Sequence, residues 1–434
     1  MRDRNLIGDL EKYLESDVTV SGWVDSRRDL KRMQFLVLRD HTGMVQAVNE
    51  KKGGHVEQSI YEASPESAVI ASGRLVPNQS VKLRNMEIQL TDVDVVNRAQ
   101  SPLPIDANSG EEARLDWRFL DLRKPKNNLI FNVQTTAERA MREYWTNHGF
   151  LEMHSPKLVP GATESGAELF QLDYFGQKAS LAQSPQFYKQ MAMGAGFDRV
   201  FEIAPVFRAN PSFTTRHDTE FTSVDVELSW IDSHHDIMDL EQDWLCYVLA
   251  AVAERHGVDI KKYFGADVKV PELPFPRISM KEAYAILDKV GEGGYRDEKG
   301  DLAPSGEKAL ARYIKENFDH DFVFVTDYPV TARPFYHMRS ESEPTTKSFD
   351  LIWKGLEVTT GAQREHRHDR LLAQAEEKGV DPAAISGYLD FFKYGMPPHG
   401  GYGFGLTRML MVLMDAPNVR EVTYLYRGPK RLTP

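Results

Sequence analysis

The chain reads as an α+β protein, a small N-terminal β-barrel followed by a larger antiparallel sheet flanked by helices. Three observations carry this. Five short apolar segments fall within the first hundred residues, separated by turn signals. From residue 170 to 230, and again from 322, hydrophobic segments alternate with turns. Two long amphipathic helices are predicted over 129–148 and 240–256.

The first strands are expected at 18–24, 35–39, 44–48, 69–75 and 86–93. Turn signals such as His41-Thr-Gly43 and Pro77-Asn78 divide them. Five strands in so short a stretch suit a barrel of the oligonucleotide-binding type (OB-fold), assigned to 1–103. Ser101-Pro-Leu-Pro104 ends regular structure, and 104–118 is read as a hinge. The second domain, 119–434, opens on the helix 129–148, stopped by Gly149. A strand cut off by Pro156 follows. The helix 240–256 should stop at Gly257, and 268–318 reads as an insertion with a helix near 280–288. A last helix starts after Gly405.

The length of 434 residues allows two or three domains with their own cores. A single cysteine, Cys246, excludes a disulfide framework and a thiolate metal cluster, and fits a reducing compartment. It lies in an apolar run and is read as a buried bystander. No signal-peptide core follows Met1 and no apolar run could span a bilayer, so a soluble cytoplasmic protein is expected. The net charge of −11 argues against nonspecific coating of nucleic acid, though not against a local basic face. The densest such cluster is Arg27-Arg28-Asp-Leu-Lys31-Arg32.

Three segments carry chemistry. In Gly400-Gly-Tyr-Gly-Phe-Gly-Leu-Thr-Arg408, alternate glycines clear one face of a strand and an arginine enters the first turn of a helix. Two readings stand: a strand passing beneath neighbouring backbone, or a floor for a polyphosphate beside a fixed cation. The pattern is not the G-x-G-x-x-G of a dinucleotide fold. In 207–227, Arg208, Arg216 and His217 bracket a turn between apolar strands, the second alternating Phe221, Ser223, Asp225 and Glu227. Two guanidiniums and an imidazole aimed at one point call for an anion. In 349–364, Asp350, Glu357 and Thr360 offer hard oxygens suited to magnesium on phosphates. Period two cannot put Glu357 and Thr360 on one face, so a bulge or strand end is implied.

Together these segments resemble the three signature motifs of class II aminoacyl-tRNA synthetases. The helix 129–148 with Leu151–Pro156 looks like the dimer-forming first motif. More narrowly, the chain is similar to archaeal-type aspartyl-tRNA synthetases, in which an OB-fold barrel precedes this catalytic domain. Thr163-Glu-Ser-Gly-Ala-Glu-Leu-Phe170, Leu181-Ala-Gln-Ser-Pro-Gln-Phe-Tyr-Lys-Gln190, Thr214-Thr-Arg-His217 and Lys430-Arg-Leu-Thr-Pro434 belong to the aspartyl/asparaginyl branch.

The resemblance implies roles. Lys189 and Arg364 would bind the aspartate side chain, selecting an acid over its amide. Glu164, Ser184 and Gln186 would hold the α-ammonium. Arg208, as catalytic residue, would bridge the reacting carboxylate and the α-phosphate. Arg216 and His217 would hold the β- and γ-phosphates, and Phe221 and Arg408 would sandwich adenine. Asp350, Glu357 and Thr360 would hold Mg2+ beside ATP. In the barrel, Arg27, Arg28, Phe35 and Gln46 would read the tRNA anticodon by stacking and base-edge contact. A homodimer acting on tRNA-Asp is implied, with tRNA-Asn as a further substrate in relaxed enzymes.

Two departures qualify this. Asn210-Pro211 stands where the family carries a glutamate. Asp25 stands where enzymes that reject tRNA-Asn carry tryptophan and tolerant ones histidine. Two rivals belong to other classes. A tRNA-independent aspartyl-adenylate former has no need of Phe35, Arg28 and Gln46, and a non-catalytic RNA-binding protein has none of Lys189, Arg364 and Glu357.

Overall fold

The computed structural model describes residues 4–161, 168–211, 214–291 and 293–434. They form two compact units, Met1–Asn128 and Leu129–Pro434. The division falls C-terminal to the stretch 104–118 read as a hinge, which itself carries the short helix Glu111–Asp116.

The first unit is built on β1 (Asp17–Asp29), β2 (Met33–Asp40), β3 (Gly43–Glu50), β4 (Ala68–Pro77) and β5 (Met86–Asn97). They close in the order β1-β2-β3-β5-β4, with β4 returning to β1. All five predicted strands are present, each longer than expected. Val18, Val20, Leu36, Leu38, Val45 and Ala47 alternate inward and are buried, which fixes the register. Closure brings backbones close: a Cβ on Gly22 would lie 2.2 Å from the Arg39 carbonyl oxygen. The helix His55–Glu62 was not anticipated, since little beyond Val56 and Ile60 marks it. Ile60 is fully buried in the barrel core.

The second unit holds β6 (Leu151–Glu152), the small sheet β7 (Leu158–Val159), β8 (Gln171–Tyr174) and β9 (Gln177–Leu181), then β10 (Arg199–Phe207) and β11 (Glu220–Ser229). After them come β12 (Arg277–Ser279), β13 (Phe322–Thr326), β14 (Ser348–Trp353), β15 (Leu356–Gln363) and β16 (His399–Gly405). The main sheet has eight strands in the order β12-β13-β14-β15-β16-β11-β10-β6. Its six central strands are antiparallel, as expected, and the edges β12 and β6 run parallel to their neighbours.

Alternation gives this sheet two unlike faces. Val224, Val226, Tyr402 and Phe404 pack into one core with Trp145 of the helix Pro125–Asn147 and Trp244 of the helix His234–Phe264. The two indoles stack with centroids 5.0 Å apart. The intervening residues of β11 and β16, among them Asp225, Glu227, Gly401 and Gly403, face the other way. That polar face carries the site.

Two expectations are corrected. The helix over 240–256 does not stop at Gly257 but runs to Phe264, where Gly265 takes φ 77°. An internal glycine costs only about 1 kcal/mol, and the fully buried Ile260 beyond it favours continuing. The strand near 150–156 shrinks to Leu151–Glu152. The stretch 268–318, read as an insertion, adds β12 to the edge of the main sheet, and its helix Pro304–Phe318 packs against that sheet. The predicted helix within it spans Met280–Val290, started by a capping box between Ser279 and Glu282. Among the described residues no helix is long and apolar enough to cross a membrane.

Candidate active site

A cavity of about 330 Å³ lies on the polar face of the main sheet. Its floor is β16, and here the two readings of the glycine run divide. A Cβ on Gly401 would lie 2.0 Å from the Val226 carbonyl oxygen, and one on Gly400 would lie 2.4 Å from Ile237. Those glycines serve strand packing. Gly403 and Gly405 line the cavity instead, and a Cβ on Gly403 would come no closer than 3.3 Å, to Asp225 Oδ1. There the missing side chain keeps the floor open to a ligand.

The walls are basic. The last pair of the β10–β11 hairpin is Phe207 with Glu220, so Arg208 leaves the strand at the cavity mouth. Its backbone N–H donates to Thr219 O at 2.9 Å, and its guanidinium carbon lies 5.5 Å from the Phe221 ring. Arg408, in the first turn of the helix Leu406–Leu413, donates to the Glu357 carbonyl at 2.8 Å and lies 3.3 Å from its carboxylate. Arg216 donates to Glu307 at 2.8 Å and also lines the cavity. His217 differs from these cations. Burial, and then Arg408 and Arg216, hold its imidazole down to about 4, so it is neutral near pH 7. Its Nδ1 lies 2.5 Å from Thr214 Oγ1.

At the other end stand the two cations expected to hold a carboxylate. Lys189, on the helix Gln186–Gly194, donates to Asp225 Oδ1 at 2.9 Å and to Tyr402 O at 2.8 Å, with Glu227 at 3.6 Å. Arg364 donates through Nε to Glu227 at 3.1 Å, through Nη2 to Gly401 O at 3.0 Å and through Nη1 to His337 Nε2 at 3.0 Å. All four charged side chains are at most 5% exposed. Arg364 and Asp225 line the cavity; Lys189 lies behind Asp225. Ser184 and Gln186 also line it, while Glu164 lies outside the described residues. Asp225, Glu227 and His337 were missed as members of this cluster. The alternation of Asp225 and Glu227 with core residues was the signal available.

The proposed metal residues are placed less uniformly. A bulge in β15 sets Thr359 opposite Leu351 but Glu357 opposite Ile352. It brings Thr360 Oγ1 to 3.2 Å from Glu357 Oε1, as the spacing required. Asp350 pairs with Thr360 across the ladder, yet Arg333 binds its Oδ2 at 2.5 Å. Asp350 therefore faces an adjoining cavity of about 310 Å³ rather than the first. Its Oδ1 is buried without a hydrogen-bond partner, and burial pushes its carboxyl up. Among the described residues no three acids or histidines form a cage for a metal. Magnesium is normally held by one or two carboxylates with substrate phosphates, and Glu357 with Thr360 fits that mode.

On the barrel, Arg28 sits opposite Phe35 with its guanidinium carbon 4.9 Å from the ring. Gln46, opposite Val37, shares that face and donates to Glu87 at 2.9 Å. Arg27 does not join them. Its guanidinium turns to the carbonyls of Ile60, at 3.2 Å, and Tyr61, at the end of the helix His55–Glu62. Adjacent strand residues point to opposite faces, so Arg27 and Arg28 cannot act together. Asp25 is bound by Arg39 at 2.6 Å, which also holds Glu66 at 2.7 Å.

Residues 110–427 match the family described as tRNA synthetases class II (D, K and N), and residues 18–96 match the OB-fold nucleic acid binding domain. An aspartate–tRNA(Asp/Asn) ligase of Aeropyrum pernix is 40% identical, with 100% of each chain covered. An aspartate–tRNA(Asp) ligase of Pyrococcus horikoshii is 42% identical over 96% of each. Among solved structures, asparaginyl-tRNA synthetase from Pyrococcus horikoshii complexed with asparaginyl-adenylate gives a TM-score of 0.92 at 33% identity, covering 100% of both chains. Aspartyl tRNA synthetase from Entamoeba histolytica gives 0.88 at 31%, covering 100% of this chain and 93% of that one.

Proposed function

Because this chain belongs to the class II tRNA synthetases of the aspartate, lysine and asparagine group, we propose that it activates L-aspartate with ATP and transfers it to the 3′ end of tRNA-Asp. The observation that carries this is the single cavity lined by Arg208, Arg216, Arg408 and Arg364 over a glycine floor. It has a phosphate-binding end and a carboxylate-binding end.

In the first step a carboxylate oxygen of aspartate attacks the α-phosphorus of ATP and pyrophosphate leaves. Arg208 bridges the two reacting anions, and Arg216 and Arg408 hold the departing phosphates. Neutral His217 donates a hydrogen bond there without adding charge. Phe221 supplies a flat surface for adenine. Glu357 and Thr360 would hold magnesium, which when bound offsets phosphate charge. Arg364, which lines the cavity, recognises the substrate side chain with the charge of Lys189 behind Asp225 in support, while Asp225, with Ser184 and Gln186, suits the α-ammonium. In the second step the 3′-hydroxyl of the terminal adenosine attacks the anhydride carbonyl and AMP leaves. No covalent enzyme intermediate is needed, because positioning and charge carry both steps. Arg28, Phe35 and Gln46 would take the anticodon. A homodimer working in the cytoplasm completes the proposal.

Aspartate-dependent ATP–pyrophosphate exchange and charging of purified tRNA-Asp test the reading. Absence of exchange sinks it, and exchange without charging points to an adenylate-forming paralogue. A second reading, relaxed charging of tRNA-Asn as well, rests on Asp25. That carboxylate is drawn to Arg39, and no bulky ring stands at its position to exclude a second anticodon. Failure to aspartylate purified tRNA-Asn ends the relaxed reading.

A further inference from the structure

The segment 268–318 brings a carboxylate to the back of the nucleotide site. Glu307 sits in the first turn of the helix Pro304–Phe318, after a proline that fits a helix start. Gly306 lets this turn approach the preceding loop, since a Cβ there would lie 2.4 Å from the Tyr295 carbonyl oxygen. The Glu307 carboxylate, 4% exposed, accepts from Arg216 Nη1 at 2.8 Å on one oxygen and 2.9 Å on the other. The second oxygen also accepts from the Glu357 backbone N–H at 3.0 Å.

Arg216 stands on the partition between two cavities, lining both the main one and its neighbour, whereas Glu307 lines only the neighbour. One Nη of Arg216 is thus gripped from outside the main cavity. Its Nε and other Nη make no hydrogen bond among the described residues. An arginine carries about 2 kcal/mol of rotamer entropy, and ordering it before the ligand arrives removes that cost from binding.

We infer that Glu307 is a positioning residue for the triphosphate, anchoring Arg216 from behind so that its free edge faces the nucleotide. This rests on the reading of Arg216 as a phosphate ligand. It gives the segment 268–318 a role in catalysis that none of its own residues performs by touching substrate.

The test is steady-state pyrophosphate exchange with the full chain, with ATP and aspartate varied separately. Glu307→Gln should raise KM for ATP about tenfold, the scale of one charge-assisted hydrogen bond, with KM for aspartate unchanged. In an Arg216→Ala background, Glu307→Gln should add little to KM for ATP, because no guanidinium is left to hold and the glutamine oxygen can still accept from the Glu357 N–H. Should Glu307→Gln fail to fold, Glu307→Asp, which withdraws the carboxylate by one methylene, is measured for the same split. An unchanged KM for ATP, an equal rise for both substrates, or full additivity with Arg216→Ala overturns the proposal. So does a lowered KM, which would make Glu307 a competitor of phosphate. If Arg216→Ala itself leaves KM for ATP unchanged, the phosphate reading falls and takes the proposal with it. A weakened Arg216→Ala beside a silent Glu307→Gln overturns the proposal alone.

Discussion

Lys189 and Arg364 bind two carboxylates of their own chain, Asp225 and Glu227, and all four side chains are buried. Their charges cancel within the cluster, so each cation is already paired before a substrate arrives. The balance also makes each member structural. Removing one partner of a buried ion pair costs about 3–5 kcal/mol, because the other is left uncompensated. Lys189→Met is therefore expected to lose stability on that scale in urea unfolding, besides losing aspartate affinity. An unchanged midpoint would show that Asp225 and Glu227 do not depend on the lysine. Glu241 poses a different problem. It is fully buried beneath the sheet, and burial pushes its carboxyl to about 8 from an ordinary 4.5. The native state therefore keeps a proton that the unfolded chain releases. A raised carboxyl destabilises the fold as pH climbs through that window, so stability should decline between pH 4.5 and about 8 and level off above. Glu241→Gln, neutral throughout, should show a shallower decline, lacking the share that belongs to Glu241. Parallel pH–stability curves for the two proteins would refute the assignment.

At the scale of the element, β16 separates two duties that its repeated glycines conceal. Gly401→Ala would drive a Cβ into the Val226 carbonyl at 2.0 Å, and backbone cannot yield as a side chain can. Overpacking of this kind costs about 1–3 kcal/mol or more, so a lowered melting temperature is expected. Gly403→Ala meets only Asp225 Oδ1 at 3.3 Å and should fold normally, while a raised KM for ATP reports the narrowed floor. Equal melting temperatures would remove the distinction. This division was not legible in the sequence, because it depends on which neighbour each glycine meets. The barrel strands were legible, since alternation and turn residues are local signals. So was the β15 bulge, because period two forbids Glu357 and Thr360 from sharing a face otherwise. Glu307 was hidden for the opposite reason: it pairs with Arg216 across 91 residues, and on a helix it looks like any solvated acid. Arg333 escaped in the same way, and with it the fate of Asp350. Arg27 was grouped with Arg28 by charge when strand geometry alone sets them on opposite faces.

Across the whole molecule, two units each carry one half of the proposed reaction's specificity, and that separation can be measured. The chain bears a net charge of −11, so its approach to a polyanionic tRNA gains nothing from bulk electrostatics. Affinity has to come from local contacts, and on the barrel the cluster of that kind is the half-buried Phe35 against Arg28, beside Gln46. Stacking a base on an aromatic ring contributes about 1–3 kcal/mol. Phe35→Ala should therefore raise KM for tRNA-Asp roughly tenfold to a hundredfold. The same protein should show unchanged ATP–pyrophosphate exchange, because among the described residues none that lines the adenylate cavity belongs to the first unit. Gln46→Ala should act likewise but more weakly, its amide already engaged with Glu87 at 2.9 Å. Arg27→Ala is the control: its guanidinium closes a helix end, so it should lower the barrel's stability while leaving KM for tRNA near that of the parent. If Phe35→Ala slowed exchange as much as charging, the two units would not be chemically separable. If it changed neither, the barrel would not be reading RNA through this face.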